Sequence, residues 1–315
     1  MITEQVKSKI DMGALEHLKI LCISETGWFD TPTLLADVKA AGGMDADQYD
    51  FGWPPLGPKH PENAAGSSAL VEAEVKDGQA HKFLFDTGWG PEWMDKRFAE
   101  EGIDGMLKRG EIEFLVISHE HFDHFWGLRS VVKHCSHLPI YVPRGFRREG
   151  FEFIQQVGHT GKVTVVEPDQ PAIPFPGFAI TSFAMETLGR VRGENVLYFS
   201  LINKGLTLMT GCGHGGILNL LEYGRNTFLA GDRIYAVYGG LHISPFGEWD
   251  EKQDAIVQAL RKYDIQHFGC NHCTGEKAVR RMIELGFPVV HGTARHGSKT
   301  DLYLGNGDTL DLGGE

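Results

Sequence analysis

Ser118-His119-Glu120-His121-Phe122-Asp123-His124 is the stretch from which the rest of the chain can be read. Three imidazoles and a carboxylate within six positions cannot easily all be satisfied as core groups. In an extended segment His119 and His121 alternate, so both can approach one metal from the same side. Asp123 and His124 follow where a turn or helix start can aim them at an adjacent site. Such N and O ligands suit zinc, manganese or iron, and spacing alone does not choose among them.

Working outward, Ile112–Ile117 reads as an apolar strand running directly into the cluster. Upstream, Ser68–Val75 and His81–Phe85 alternate as a hairpin with its turn at Asp77-Gly78, and the second arm ends in Asp86-Thr87-Gly88. His17–Ile23 is a first strand, and Pro91–Arg109 has helical character. Downstream, strands are predicted near 162–166, 178–183, 195–202, 206–209, 266–269 and 287–290. Helices are predicted at 128–134, 145–157, 216–223, 248–262 and 277–285. Two rounds of strands followed by helices predict a layered α/β architecture. With no repeat or linker to divide it, 1–315 reads as a single domain with a loop insertion near 42–67, where prolines oppose a helix.

The chain has 315 residues, with 30 basic and 42 acidic side chains giving a net charge of −12. That balance excludes a general nucleic-acid or anionic-membrane binder. A small anionic or phosphorylated partner stays compatible, because a bound cation reverses the local field. Met1–Lys19 lacks the features of an export leader, and no apolar run reaches membrane length. Five scattered cysteines do not form a secreted disulfide framework. The expectation is a cytoplasmic enzyme, and exposed-looking apolar segments are compatible with a homodimer.

His119-x-His121-x-Asp123-His124, preceded by an apolar strand and by Asp86-Thr87-Gly88, resembles the metallo-β-lactamase superfamily. More narrowly, Thr210-Gly211-Cys212-Gly213-His214-Gly215-Gly216-Ile217, Gly239-Gly240-Leu241-His242 and His272-Cys273-Thr274-Gly275 are similar to one branch. That branch contains the archaeal dihydropterin–ribofuranosylaminobenzene phosphate synthases. The resemblance runs from about Leu18 to Val290. It implies a four-layer αββα sandwich, two mixed sheets flanked by helices, with a metal centre at one edge. It further implies two divalent ions, Zn2+ foremost with Mn2+ or Fe2+ as alternatives. His119, His121 and His214 would surround the first ion, and Asp123, His124 and His272 the second. Much of the superfamily carries a bridging aspartate in a Thr-Gly-Asp setting, where this chain has Cys212. Asp232, in Ala230-Gly231-Asp232, is the candidate for a displaced bridge.

Other residues have two readings each. His242 follows two glycines and is either a proton donor or ligand or a structural histidine. Cys212 either sits beside the metals or is a small buried hydrophobe. Cys270 and Cys273 have the spacing of half a zinc knuckle, although positioning His272 is the better reading. Asp86 is expected to hydrogen-bond a histidine rather than coordinate metal. Trp28, Trp126 and Cys273 are assigned to the substrate pocket, with Trp53 and Trp89 as further candidates for lining or packing. The expected activity is metal-dependent hydrolysis of a small phosphoester or related anionic ester, with Asp123 orienting water and His242 giving a proton to the leaving group. Two alternatives remain: pterin diphosphate group transfer of the synthase kind, and a low-turnover ligand-binding or sensor protein, which the Cys212 departure keeps open.

Overall fold

The computed structural model describes residues 8–51, 53 and 59–313. The start of the leader reading, at 1–7, and the proline run of the 42–67 loop, at 54–58, lie outside the described residues. The first half of the chain runs β1 (Leu15–Ser24), α1 (Thr31–Ala40), β2 (Ser68–Val75), β3 (Ala80–Phe85), α2 (Pro91–Glu100), α3 (Ile103–Arg109) and β4 (Phe114–Val116). It continues through α4 (Phe122–Phe125), α5 (Leu128–Val132), β5 (Ile140–Pro143), α6 (Arg148–Gln156) and β6 (Val163–Val166). The second half holds β7 (Ala172–Phe175), β8 (Phe178–Phe183), β9 (Glu194–Leu201), β10 (Gly205–Thr210) and α7 (Ile217–Thr227). There follow β11 (Ile234–Gly240), α8 (Glu251–Ala259), β12 (His267–Asn271), α9 (Glu276–Glu284) and β13 (Thr309–Asp311).

Strands of the first half pair in the order β1-β2-β3-β4-β5-β6, and those of the second in the order β9-β10-β11-β12. β8 pairs with β9 and with β7, and β13 closes onto β1. In each half an antiparallel portion passes into a parallel one, at β3/β4 and at β10/β11. Besides β13, a parallel pair, Leu15 with Leu201, joins the two halves.

Alternation along the strands separates three apolar cores, and these define the layers. Leu18, Ile20, Phe83, Phe85, Phe114 and Val116 of the first sheet meet Phe178, Leu197, Phe199 and Met209 of the second. Their neighbours in sequence point the other way. Leu84 and Leu115 pack under helices of the first half, and Val196, Tyr198, Leu208 and Val237 under helices of the second. The result is the expected helix–sheet–sheet–helix stack. Among the described residues no helix is long and apolar enough to cross a membrane.

Several expectations need correction. The segment Pro91–Arg109 is two helices, because Gly102 turns left-handed (φ 72°) between them. Phe287–Val290 forms only an isolated bridge, Val289 to Phe268, and no strand. α1 was not expected, although the Asp30 side chain accepts from the Thr33 N–H and Pro32 sits in the first turn. β7, β11 and β13 were also missed.

Phe83 is fully buried between the sheets, with its ring 4.7 Å from Phe114 and 4.8 Å from Phe178. Phe83→Ala is expected to cost about 3–5 kcal/mol. In urea unfolding the midpoint should fall at unchanged slope; a loss under about 1 kcal/mol would contradict this inter-sheet core.

Candidate metal centre

One edge of the two sheets gathers the chemistry-bearing residues, and topology is the reason. Asp86 follows β3, Ser118 to His121 follow β4, Cys212 to His214 follow β10, His242 follows β11, and His272 and Cys273 follow β12. In open α/β sheets the loops at the carboxyl ends of strands form the ligand crevice. His121 precedes the first residue of α4, which carries Asp123 and His124 in a single turn. β9 starts at the same edge and ties the halves together there. The Asn195 backbone N–H donates to the Ser118 carbonyl at 2.6 Å, and its side-chain amide donates to the Ile117 carbonyl at 3.0 Å.

Ligand atoms of His119, His121 and His214 lie within 4.8 Å of one another, and so do those of Asp123, His124 and His272. These are the two predicted triads. Hydrogen bonds on the outer ring nitrogens assign the protons. Ser118 Oγ donates to Asp86 Oδ2 at 2.6 Å and therefore accepts from His119 Nδ1 at 2.8 Å. His121 Nε2 donates to the Leu188 carbonyl at 2.6 Å, His124 Nδ1 to Asp86 Oδ2 at 2.7 Å, and His272 Nδ1 to the Glu25 carbonyl at 2.7 Å.

Each inner nitrogen then carries a lone pair. His119 Nε2 faces His121 Nδ1 at 2.9 Å, and His124 Nε2 faces His272 Nε2 at 3.1 Å. Lone pairs aimed at one another repel, and a cation between them turns repulsion into coordination. The buried His214 Nδ1 has no hydrogen-bond partner. The residues therefore fit divalent metal ions.

Electrostatics agree for four of the five histidines. Burial pushes the imidazoles of His119, His214 and His272 well down, and that of His121 to about 3, so all are neutral ligands near pH 7. Burial opposes charge on His124 as well, but the Asp123 and Asp86 carboxylates outweigh it and hold that imidazole up. Glu194, fully buried, accepts the backbone N–H groups of Cys212 at 3.1 Å, Gly213 at 2.7 Å and His214 at 2.7 Å, which fixes the ligand loop after β10.

The backbone is strained where the site needs it. Eight non-glycine residues with positive φ are found among the described residues, and Asp86, His242 and His272 are three of them. Gly27 packs so closely that a Cβ would lie 2.5 Å from Asp123 Oδ2 and 2.9 Å from His272 Cε1.

A cavity of about 660 Å³ opens onto both triads. His121, Asp123, His214, His242, His272 and Cys273 line its floor. Leu34, Leu35 and Val38 of α1 form one wall, with Trp28 stacked on Phe246 (ring centroids 5.8 Å apart) beside them. Among the described residues, the cavity's one Lys or Arg side chain is Arg190, two residues beyond the Leu188 carbonyl that holds His121. His242 packs its ring 4.5 Å from that of His214.

Two assignments are corrected. Asp232 cannot bridge metals: its side chain is 87% exposed on the surface and pairs with Lys9 at 2.6 Å. Trp126 does not border the cavity; it is fully buried against Phe122 and Tyr49 in the helix-covered core. Trp53 and Trp89 are core residues too. Asp86 hydrogen-bonds His124 and Ser118 and belongs to neither triad. Glu194, Arg190, Phe246 and the carbonyls of Glu25 and Leu188 were missed, and none carries a local sequence signal.

A family model described as the metallo-beta-lactamase superfamily matches residues 63–261. A 7,8-dihydropterin-6-methyl-4-(beta-D-ribofuranosyl)-aminobenzene-5'-phosphate synthase from Methanocaldococcus jannaschii is 26% identical over 261 residues, 70% of this chain and 84% of the relative. The uncharacterized protein MJ0448 of the same organism is 26% identical over 242 residues, 70% of this chain and 88% of the relative. Among solved structures, the metallo-beta-lactamase fold protein YhfI from Bacillus subtilis aligns with a TM-score of 0.48 at 12% identity, covering 94% of this chain and 100% of its own.

Asp86→Ala removes the acceptor behind His124 and Ser118, and metal affinity should fall about 10–100-fold by competition with a chelating dye. Unchanged affinity would contradict the orienting role. The buried histidines should also make the metal-free protein sensitive to acid. Below 6.5 an unfolded imidazole takes up a proton, whereas folded His121 stays neutral down to about 3. His119, His214 and His272 shift the same way. These four imidazoles therefore take stability from the metal-stripped protein as pH falls below 6.5. His124 and the buried carboxyls of Glu25, Glu120, Asp123 and Glu194, all held up, oppose them. His121→Asn should shift the balance toward greater relative stability at pH 5 than at pH 7, and an unchanged pH dependence of the denaturation midpoint would refute its part.

Proposed function

The chain belongs to the metallo-β-lactamase superfamily, and we propose that it is a metal-dependent hydrolase of a small phosphoester or related anionic ester. The observation that carries this reading is the pair of facing triads, with outward-fixed protons and inward lone pairs, at the floor of one cavity. The nitrogen-rich donor set, with sulfur beside it, suits zinc first, and two divalent ions match the two triads. When bound, such ions supply Lewis-acid charge at a phosphoryl or carbonyl oxygen and make water acidic enough to react near neutral pH.

The chain's own residues do the rest. Asp123, buried and facing the cavity, orients the attacking water by accepting its hydrogen bond. His242 borders the same space and exchanges a proton with the leaving oxygen. Arg190 supplies the fixed positive charge for the anionic group of the substrate, and the apolar wall excludes bulk water.

A second reading is favoured by the size and aromatic lining of that wall, together with the similarity to the dihydropterin synthase. In it an arylamine replaces water as nucleophile and diphosphate leaves from a pterin-bearing substrate. The cavity has room for a flat ring against Trp28 as well as a phosphorylated group.

Native protein purified without chelator should carry about two metal equivalents by mass spectrometry, lost in His121→Ala. Asp123→Ala should lower turnover about 10²-fold or more. Phosphodiester and pterin diphosphate substrates, each tried with and without an arylamine, separate the two readings. Turnover without amine supports hydrolysis, and amine-dependent diphosphate release supports transfer. Protein that neither carries metal nor takes up added zinc, manganese or iron would overturn both.

A further inference from the structure

All five cysteines are buried, but they divide into two kinds. Cys22, Cys135 and Cys270 each belong to one of the three apolar cores, where a thiol packs as a small hydrophobe. Cys212 and Cys273 belong to none of them and border the cavity instead. Cys270 and Cys273 therefore do not act together: the first faces the helix-covered core, the second the metal triads.

The two cavity sulfurs converge on the ligands. Cys212 Sγ lies 3.3 Å from His124 Nε2. Its sulfur groups within 4.8 Å with His119 and His124 on one side, and with His272 and Cys273 on the other. Backbone contacts keep it there. Glu194 accepts the Cys212 N–H, and Cys273 Sγ donates to the Cys212 carbonyl at 3.4 Å. Gly240 leaves the space that the second sulfur fills, since a Cβ there would sit 2.5 Å from Cys273 Sγ and 3.2 Å from Cys212 Cα.

We propose that Cys212 and Cys273 are thiolate ligands of the centre, Cys212 shared between the two triads and Cys273 joining His272 at the second. This rests on the metal-centre reading above. Each thiol gives up its proton to solvent on coordination, as metal-bound sulfur does. Cys212 thereby supplies the anionic bridge for which a carboxylate was expected. With Asp123, three anionic ligands face two divalent ions and leave a net positive charge for an anionic substrate. Sulfur is a soft donor, so the centre selects zinc, ferrous iron or cobalt over manganese and magnesium.

The test is to strip the full-length protein with chelator, reload it with Co2+, and record metal content and absorption together. Sulfur-to-cobalt charge-transfer absorption in the near ultraviolet is expected. It should weaken in Cys212→Ser and in Cys273→Ser and stay unchanged in Cys135→Ser. The wild-type spectrum needs no variant, and Cys212→Asp, which restores an anionic bridge, covers the case in which serine prevents folding. In a zinc–manganese competition, Cys212→Asp combined with Cys273→Ser should reduce the preference for zinc about tenfold or more. Cobalt bound without a charge-transfer band, or an unchanged zinc preference, would overturn the thiolate assignment and leave the metal centre standing. Failure to bind cobalt at all would overturn the metal centre itself.

Discussion

The centre depends on a buried carboxylate that touches no proposed ion. Asp86, 1% exposed, accepts the Ser118 backbone N–H at 2.6 Å, the Ser118 hydroxyl at 2.6 Å and His124 Nδ1 at 2.7 Å. Through the serine it also settles the proton on His119. One histidine of each triad is thus oriented from a single point. Hydrogen bonds to a charged acceptor contribute about 1.5–3 kcal/mol each, and stranding a buried charge costs more. The left-handed backbone at Asp86 (φ 63°) is the strain accepted to place that carboxylate behind two histidines at once. From the opposite sheet Gly211 completes the enclosure, since a Cβ at that position would lie 2.2 Å from Ser118 Oγ.

How much of this could be read from residues alone follows from the range of the interactions. His119 to His124 are neighbours in sequence, and alternation followed by one helical turn already brings their side chains together, so that part of the site was legible. His214 and His272 became assignable only through a family resemblance, because nothing local distinguishes them from other loop histidines. Strands that alternate between two apolar faces, such as β3 and β9, were placed to within a residue or two. The short β7 and β13 were not, since they owe their pairing to partners distant in the chain. Asp232 misled because Ala-Gly-Asp looks like a strand-end turn, whereas the structure puts it in a surface turn ahead of β11. Glu194 was invisible for the opposite reason. An acid at the head of an apolar strand looks solvated until three backbone N–H groups, 18 to 20 positions away, converge on it.

The tie between Asn195 and the end of β4 joins a first half that holds His119, His121, Asp123 and His124 to a second half that holds Cys212, His214, His272 and Cys273. His124 and His272 face each other across 148 positions of chain. A ribosome adding about 5–20 residues per second needs roughly 7–30 s to cross that interval. During that time the nascent chain displays only the first-half members of the two triads, with the second sheet not yet complete to cover them. The two triads therefore stay incomplete until His214 and His272 have been made, and their closure waits for the strands of the second sheet.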